Sequence, residues 1–153
     1  MDKLQLKMLQ KKIADYPERI SKLQERQNMI VTPSATEIGP ALKGMNAYLL
    51  FLKAEKNSYQ KLFCEASGDY DKLKSHIDAE GAGDEGASDS ARISLVQLEQ
   101  YMASIQNYIN LMDSQIDNGE VVKEKLTLAQ KQKENIDVAN LLIMIKKGDG
   151  YRP

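Results

Sequence analysis

Leu42, Met45, Leu49, Leu52, Lys56, Tyr59, Phe63, Ala66, Tyr70, Leu73 and Ile77 follow one another in alternating steps of three and four residues, without a slip. A strand would repeat every second residue, whereas this step keeps side chains on one stripe of an α-helix. Lys56 is the one charged member. The pattern predicts a heptad seam on a helix spanning 40–79, about 60 Å long at ~1.5 Å per residue. Gly39-Pro40 stands before it and a glycine-rich acidic stretch after it. Whatever else the chain does must be arranged around that rod.

The flanking segments carry the same step. Leu6, Leu9, Ile13, Tyr16, Ile20, Leu23, Gln27 and Ile30 predict a first helix over 3–31. Pro17 lies inside it, removing one backbone hydrogen bond and crowding the carbonyl of residue 13, and the unbroken phase favours a kink over a stop. Residues 32–39 hold Pro33 and Gly39 and read as a turn between antiparallel helices. Residues 79–90 combine Gly, Ala, Ser and acids with no large apolar side chain, the composition of an exposed linker, with Asp89 or Ser90 as the next N-cap. Leu95, Leu98, Met102, Ile105, Ile109, Met112 and Ile116 predict a third helix over 90–117, with Asp117-Asn118-Gly119 as its stop. A fourth helix is expected over 120–147; its second half, from Ile136 to Ile145, has almost no polar face.

These elements give an all-α fold: an elongated antiparallel helical bundle, or coiled-coil hairpins, of about four helices in a single domain over 1–153. Leu50 and Phe51 beside Leu49 and Leu52 make the middle of the long helix apolar on several faces, so it is expected to be wrapped by more than one neighbour.

Composition narrows the function classes. With 21 basic and 22 acidic residues the net charge is −1, which argues against nucleic acid as a partner. Cys64 is the single cysteine, so no intrachain disulfide can form. The longest apolar run, Leu141 to Ile145, is far short of the ~20 residues of a membrane span, and the first residues have no Sec-type apolar core. The expected location is the cytoplasm, although a specialised secretion signal would not show in this composition.

Several stretches imitate chemistry. Gly81-Ala82-Gly83-Asp84-Glu85-Gly86 matches the letters of a dinucleotide loop, but no strand precedes it and its acids repel phosphate. Asp69, Asp71 and Glu80 have calcium-loop spacing without the glycine and oxygen ligands between them. His76 reads as a solvated helix-surface residue, and Cys64 as a buried or half-buried thiol. Lys7, Lys11, Lys12 and Arg19 form a basic stripe, read as a solvated face. No catalytic, cofactor or metal-binding residue is assigned, and no small-molecule substrate.

The expected function is therefore non-enzymatic: a protein–protein interaction protein acting as coiled-coil adaptor, chaperone or assembly subunit, with a protein partner or as a homo-oligomer. The long helix is expected to outrun its neighbours, leaving Tyr70, Leu73 and Ile77 in need of a partner, with Val138, Leu141, Leu142 and Ile145 as a second docking face. The alternative is peripheral binding to a membrane surface through the basic first helix and the apolar fourth. Small helical accessories and chaperones of bacterial secretion systems, and helical phage proteins, share this size and character. That is a likeness of architecture, and no motif carries over from it.

Overall fold

The computed structural model describes residues 1–80 and 85–146, with side chains for 1–80 and 89–145. Among these residues five helices follow in order: α1 (Lys3–Ala14), α2 (Tyr16–Asn28), α3 (Ile38–Glu80), α4 (Glu85–Gln132) and α5 (Val138–Lys146). They pack as an all-α helical bundle, as the heptad step predicts.

The chain divides into two compact units. One comprises Met1–Gln24 and Tyr59–Asn107, the other Glu25–Ser58 and Tyr108–Pro153. In the first unit, Leu9, Ile13, Tyr16 and Ile20 of the N-terminal arm are buried, as are Tyr59, Leu62 and Leu73 of α3 and Leu98 and Ile105 of α4. In the second, Met45, Leu49 and Leu52 of α3, Met112, Val122 and Leu126 of α4 and Leu142 and Ile145 of α5 are buried. Each large aliphatic side chain withdrawn this way contributes roughly 1.5–3 kcal/mol.

The expected helix over 3–31 is two helices. Asp2 opens α1 with a capping box, its carboxylate accepting from the Gln5 N–H at 2.8 Å while Gln5 Oε1 accepts from the Asp2 N–H at 3.0 Å. The break falls at Asp15, whose backbone is still right-handed helical (φ −84°, ψ −12°). Pro17 has no N–H to offer the Ile13 carbonyl, and the chain resumes with Arg19 N–H bonding Asp15 O at 3.2 Å. Because the interruption is one helical residue long, Ile13, Tyr16 and Ile20 keep their common inward phase. α2 ends at Asn28, short of the expected 31.

Gly119 is not a stop. α4 runs through it for 48 residues, and the predicted helices over 90–117 and 120–147 become α4 and the short α5. A Cβ at Gly119 would stand 2.6 Å from Leu49 Cδ2 and 3.5 Å from Met45 Sδ, so this glycine lets α4 approach α3 closely. α4 ends at Gln132; the next residue, Lys133, has a left-handed φ of 53°, and Glu134 N–H returns to Ala129 O at 3.0 Å. That is the bond of a Schellman stop, made here without glycine. Asp137 then caps α5, accepting from Asn140 N–H at 3.2 Å.

The expected linker over 79–90 is also shorter. Residues 81–84, which include most of the glycine motif, lie outside the described residues, and α4 has begun by Glu85. Ser90, expected as an N-cap, is instead inside α4, where it accepts from Gln10 Nε2 at 2.9 Å.

Candidate functional site

The buried face of α3 is rotated from the predicted seam. Ala41, Met45, Tyr48, Leu52, Glu55, Tyr59, Leu62, Ala66, Asp69, Leu73 and His76 are the buried row, in unbroken steps of four and three. It shares Met45, Leu52, Tyr59, Ala66 and Leu73 with the predicted seam, but its other position precedes the expected one by a residue. Glu55, Asp69 and His76 therefore point inward at seven-residue multiples, in place of Lys56, Tyr70 and Ile77. Leu49 and Ile77 of the predicted seam are buried as well, beside the row.

Each buried acid meets a cation from the N-terminal arm. In the first unit Lys12 Nζ lies 3.1 Å from Asp69 Oδ1 and 3.0 Å from Oδ2, and the Tyr16 hydroxyl donates to Oδ2 at 2.7 Å. Arg19 pairs with Glu65 and lies over the Tyr16 ring, 5.2 Å from its centre. Burial, then the Asp69 hydrogen bond and carboxylate charge, push the Tyr16 phenol far above its ordinary value. The Arg19 hydrogen bond holds the Glu65 carboxyl below its ordinary range, and the same pairing raises Arg19. In the second unit Arg26 Nη2 meets Glu55 Oε1 at 2.8 Å, while Glu55 Oε2 is buried without a hydrogen-bond partner. These contacts position the arm; every carboxylate among them already accepts from an arm residue, so the cluster is a clamp and not an open reactive site.

An open groove of about 890 Å³ lies beside the clamp in the first unit, lined by Met1, Met8, Leu9, Lys12, Lys72 and His76 among others. His76 is buried, correcting the expected solvated residue, and its Nε2 stands 3.2 Å from Glu80 Oε1 without hydrogen-bond geometry. Cys64 departs the other way: it is exposed, correcting the expected buried thiol. Asp69 and Asp71 sit within continuous α3, so the calcium-loop spacing forms no loop. Among the described residues no group of three or more His, Cys, Asp or Glu is gathered for a metal, and no helix is long and apolar enough to cross a membrane.

The residues expected to dock a partner are largely interior. Leu73, Ile77, Val138, Leu142 and Ile145 are buried, and Leu141 is half-buried. Tyr70 is half-buried and donates its hydroxyl to Glu99 Oε1 at 3.0 Å. The overhang that motivates this set does not arise, because α4 starts at Glu85 and contributes Ala91, Leu98 and Ile105 to the same unit's core.

Exposed apolar surface lies elsewhere. Leu50 and Phe51, expected to be wrapped, are 68% and 55% exposed. Ala47 and Ala54 are exposed one turn to either side, giving an uncharged outward row at i, i+3, i+4 and i+7 on α3. Lys53 stands beside it, held by Glu120 Oε1 at 2.8 Å. Lys56 is half-buried and drawn onto Asp113. The sequence singles out Leu50 and Phe51 but suggests an interior place for them; a helix whose opposite face already carries a complete heptad row is the available sign that they face outward.

The class these observations define is an all-α helical bundle with buried charge clamps and an exposed apolar row. Comparison with family models, curated proteins and solved structures returned no match for the chain.

Proposed function

We propose that the protein is a non-enzymatic protein–protein interaction protein, an adaptor, chaperone or assembly subunit, that docks through the outward face of α3. The observation that carries this reading is the exposed pair Leu50 and Phe51 between exposed Ala47 and Ala54. Two large apolar side chains side by side on the water face of a helix whose other face is fully used are costly to leave wet, and contiguous apolar patches mark contact surfaces.

The test is a photo-crosslinking residue placed at Phe51 or, as a control, at exposed Asn140, in cells that make the chain. Protein adducts are expected from position 51, lost on Leu50→Asp, and not from position 140. The lack of any protein adduct at 51 overturns the reading.

A second reading has one observation in its favour. α1 exposes Leu4 at 68% and Met8 at 65%, interleaved with exposed Lys3, Lys7 and Lys11, a basic and apolar face suited to an anionic membrane surface. The apolar residues of α5 lend it little, since Val138, Leu142 and Ile145 are buried. Co-flotation with anionic vesicles, weakening with salt and lost on Lys7→Glu, is its expected outcome; no flotation at low salt overturns it.

A further inference from the structure

His76 and Glu80 stand one turn apart on α3, at i and i+4. Their Nε2 and Oε1 are 3.2 Å apart without hydrogen-bond geometry, and Nε2 is closed to water with no hydrogen-bond partner among the described residues. The His76 side chain is 5% exposed and that of Glu80 34%, so the pair is walled by protein on one side and open on the other. A ring nitrogen and a carboxylate oxygen this close, yet out of line for a hydrogen bond, have the placement of two ligands of one ion. Zinc takes an imidazole nitrogen at ~2.0–2.1 Å and a carboxylate oxygen at ~2.0–2.2 Å. With both bonds near 2.1 Å, a separation of 3.2 Å gives an angle at the metal of roughly 100°, between the octahedral and tetrahedral values.

The helix end favours a cation as well. The last turn of α3 holds Asp78 and Glu80 and no basic residue, at the end where the helix dipole is negative. The neighbouring ammonium groups do not fill that place: Lys12 is drawn onto Asp69, and Lys72 is exposed. His76 also lines the open groove beside the clamp, which gives water access to the remaining coordination positions. An imidazole nitrogen with a carboxylate oxygen suits a borderline transition ion, whereas magnesium and calcium take oxygen ligands. The geometry points to a site for Zn²⁺ or a similar divalent transition ion, held by His76 Nε2 and Glu80 and completed by water. It is one protein ligand short of a typical catalytic zinc centre, so binding is weak, with a Kd on the order of 0.1 mM. The ion clips residue 76 to residue 80 and fastens the last turn of α3.

His76 is the one histidine of the chain, so its two ring nitrogens give the only imidazole signals in a long-range proton–nitrogen NMR spectrum. The full chain is titrated with zinc chloride at constant pH in a Cys64→Ser background, which removes the exposed thiol as a competing ligand. Saturable movement of the Nε2 signal, larger than that of Nδ1, is expected, and calcium chloride at the same concentrations is expected to move neither. Glu80 is exposed, so Glu80→Gln is expected to keep the wild-type far-ultraviolet circular dichroism spectrum. It is expected to weaken binding at Nε2 by at least the about tenfold that even an outer-shell partner contributes. An Nε2 signal unmoved at about 1 mM zinc overturns the inference. So does a response led by Nδ1, or a Glu80→Gln chain that binds zinc as tightly as its parent.

Discussion

The Tyr16 hydroxyl donates to Asp69 Oδ2 at 2.7 Å, and both residues are closed to water, at 0% and 2% exposure. The bond ties the first turn after the Asp15 break to α3, and leaves Asp69 with two donors, Tyr16 and Lys12. Tyr16→Phe keeps the ring and deletes the donor, so part of the carboxylate's compensation is lost. A cost of roughly 1.5–3 kcal/mol at neutral pH is expected, the range for hydrogen bonds to charged groups, read from urea unfolding. A wild-type-like stability would mean that Lys12 alone satisfies Asp69.

The same pair sets an alkaline limit. In the unfolded chain Tyr16 ionises near pH ~10, whereas burial and the neighbouring carboxylates keep it protonated in the fold well beyond that. The folded state then holds a proton the unfolded state has released, so stability is full below pH ~10 and falls as pH rises further. Tyr48, raised by burial, acts in the same direction. Tyr16→Phe is expected to make the fall in unfolding free energy above pH ~10 shallower, measured by denaturant titrations at several pH values. An unchanged slope would show that Tyr16 is not the group responsible.

Glu55 offers a sharper contrast. It is 5% exposed, bonded to Arg26 through Oε1, with Oε2 buried and unmatched. Arg26→Ala would leave that carboxylate without its cation and is expected to destabilise; because the Arg26 side chain is 60% exposed, water moderates the loss to about 1–3 kcal/mol. Glu55→Met removes both the charge and the unmatched oxygen from a seam position, and is expected to be neutral or stabilising by thermal melting. If Glu55→Met destabilises as much as Arg26→Ala, the pair contributes net stability and not only register.

The rotation of the α3 seam explains what can be read from the chain and what cannot. The step of three and four, the all-α class and the existence of a rod around residues 40–79 follow from apolar spacing alone. Which of two adjacent stripes faces inward does not. Apolarity favours Lys56, Phe63, Tyr70 and Ile77 over Glu55, Leu62, Asp69 and His76 because Phe, Tyr and Ile look interior beside Asp and His. The arm reverses that preference: Lys12, Tyr16 and Arg26 bring donors to Asp69 and Glu55, contacts between residues far apart in sequence. Gly119 misleads for a related reason. Asn-Gly is a strong local stop, yet Met112, Ile116, Gly119, Val122 and Leu126 keep the helical step straight through it, and that continuity is visible in the sequence. Leu50 and Phe51, the outward row that carries the proposed function, stand out by apolarity alone. Their direction becomes legible only once the inward row is complete without them.

Two glycines of α3 and α4 should therefore respond oppositely to alanine. Gly68 is exposed, and a Cβ added there would meet nothing within 4 Å, so Gly68→Ala is expected to stabilise by about 0.5–1 kcal/mol through helix propensity. At Gly119 the added carbon would meet Leu49 Cδ2 at 2.6 Å. Leu49 is 3% exposed, with little room to turn aside, and overpacking costs typically ~1–3 kcal/mol, more than the ~1 kcal/mol of propensity gained. Gly119→Ala is expected to lower the urea midpoint while Gly68→Ala raises it. A stabilised Gly119→Ala would mean that Leu49 yields freely and that close approach is not why glycine stands there.

The end of α4 supplies the last test. Lys133 holds a left-handed backbone at φ 53°, a conformation that costs a residue with a side chain roughly 1–2 kcal/mol, and it does so to let Glu134 N–H reach Ala129 O. Lys133 is exposed, so replacing it removes no core contact. Lys133→Gly relieves the strain but gives the unfolded chain more freedom, which offsets part of the gain. The expected net effect is stabilisation of up to about 1 kcal/mol, seen as a raised melting temperature, with Lys133→Val moving it down. A loss on Lys133→Gly would show that the turn between α4 and α5 is held by its contacts strongly enough for backbone strain at this position to be immaterial.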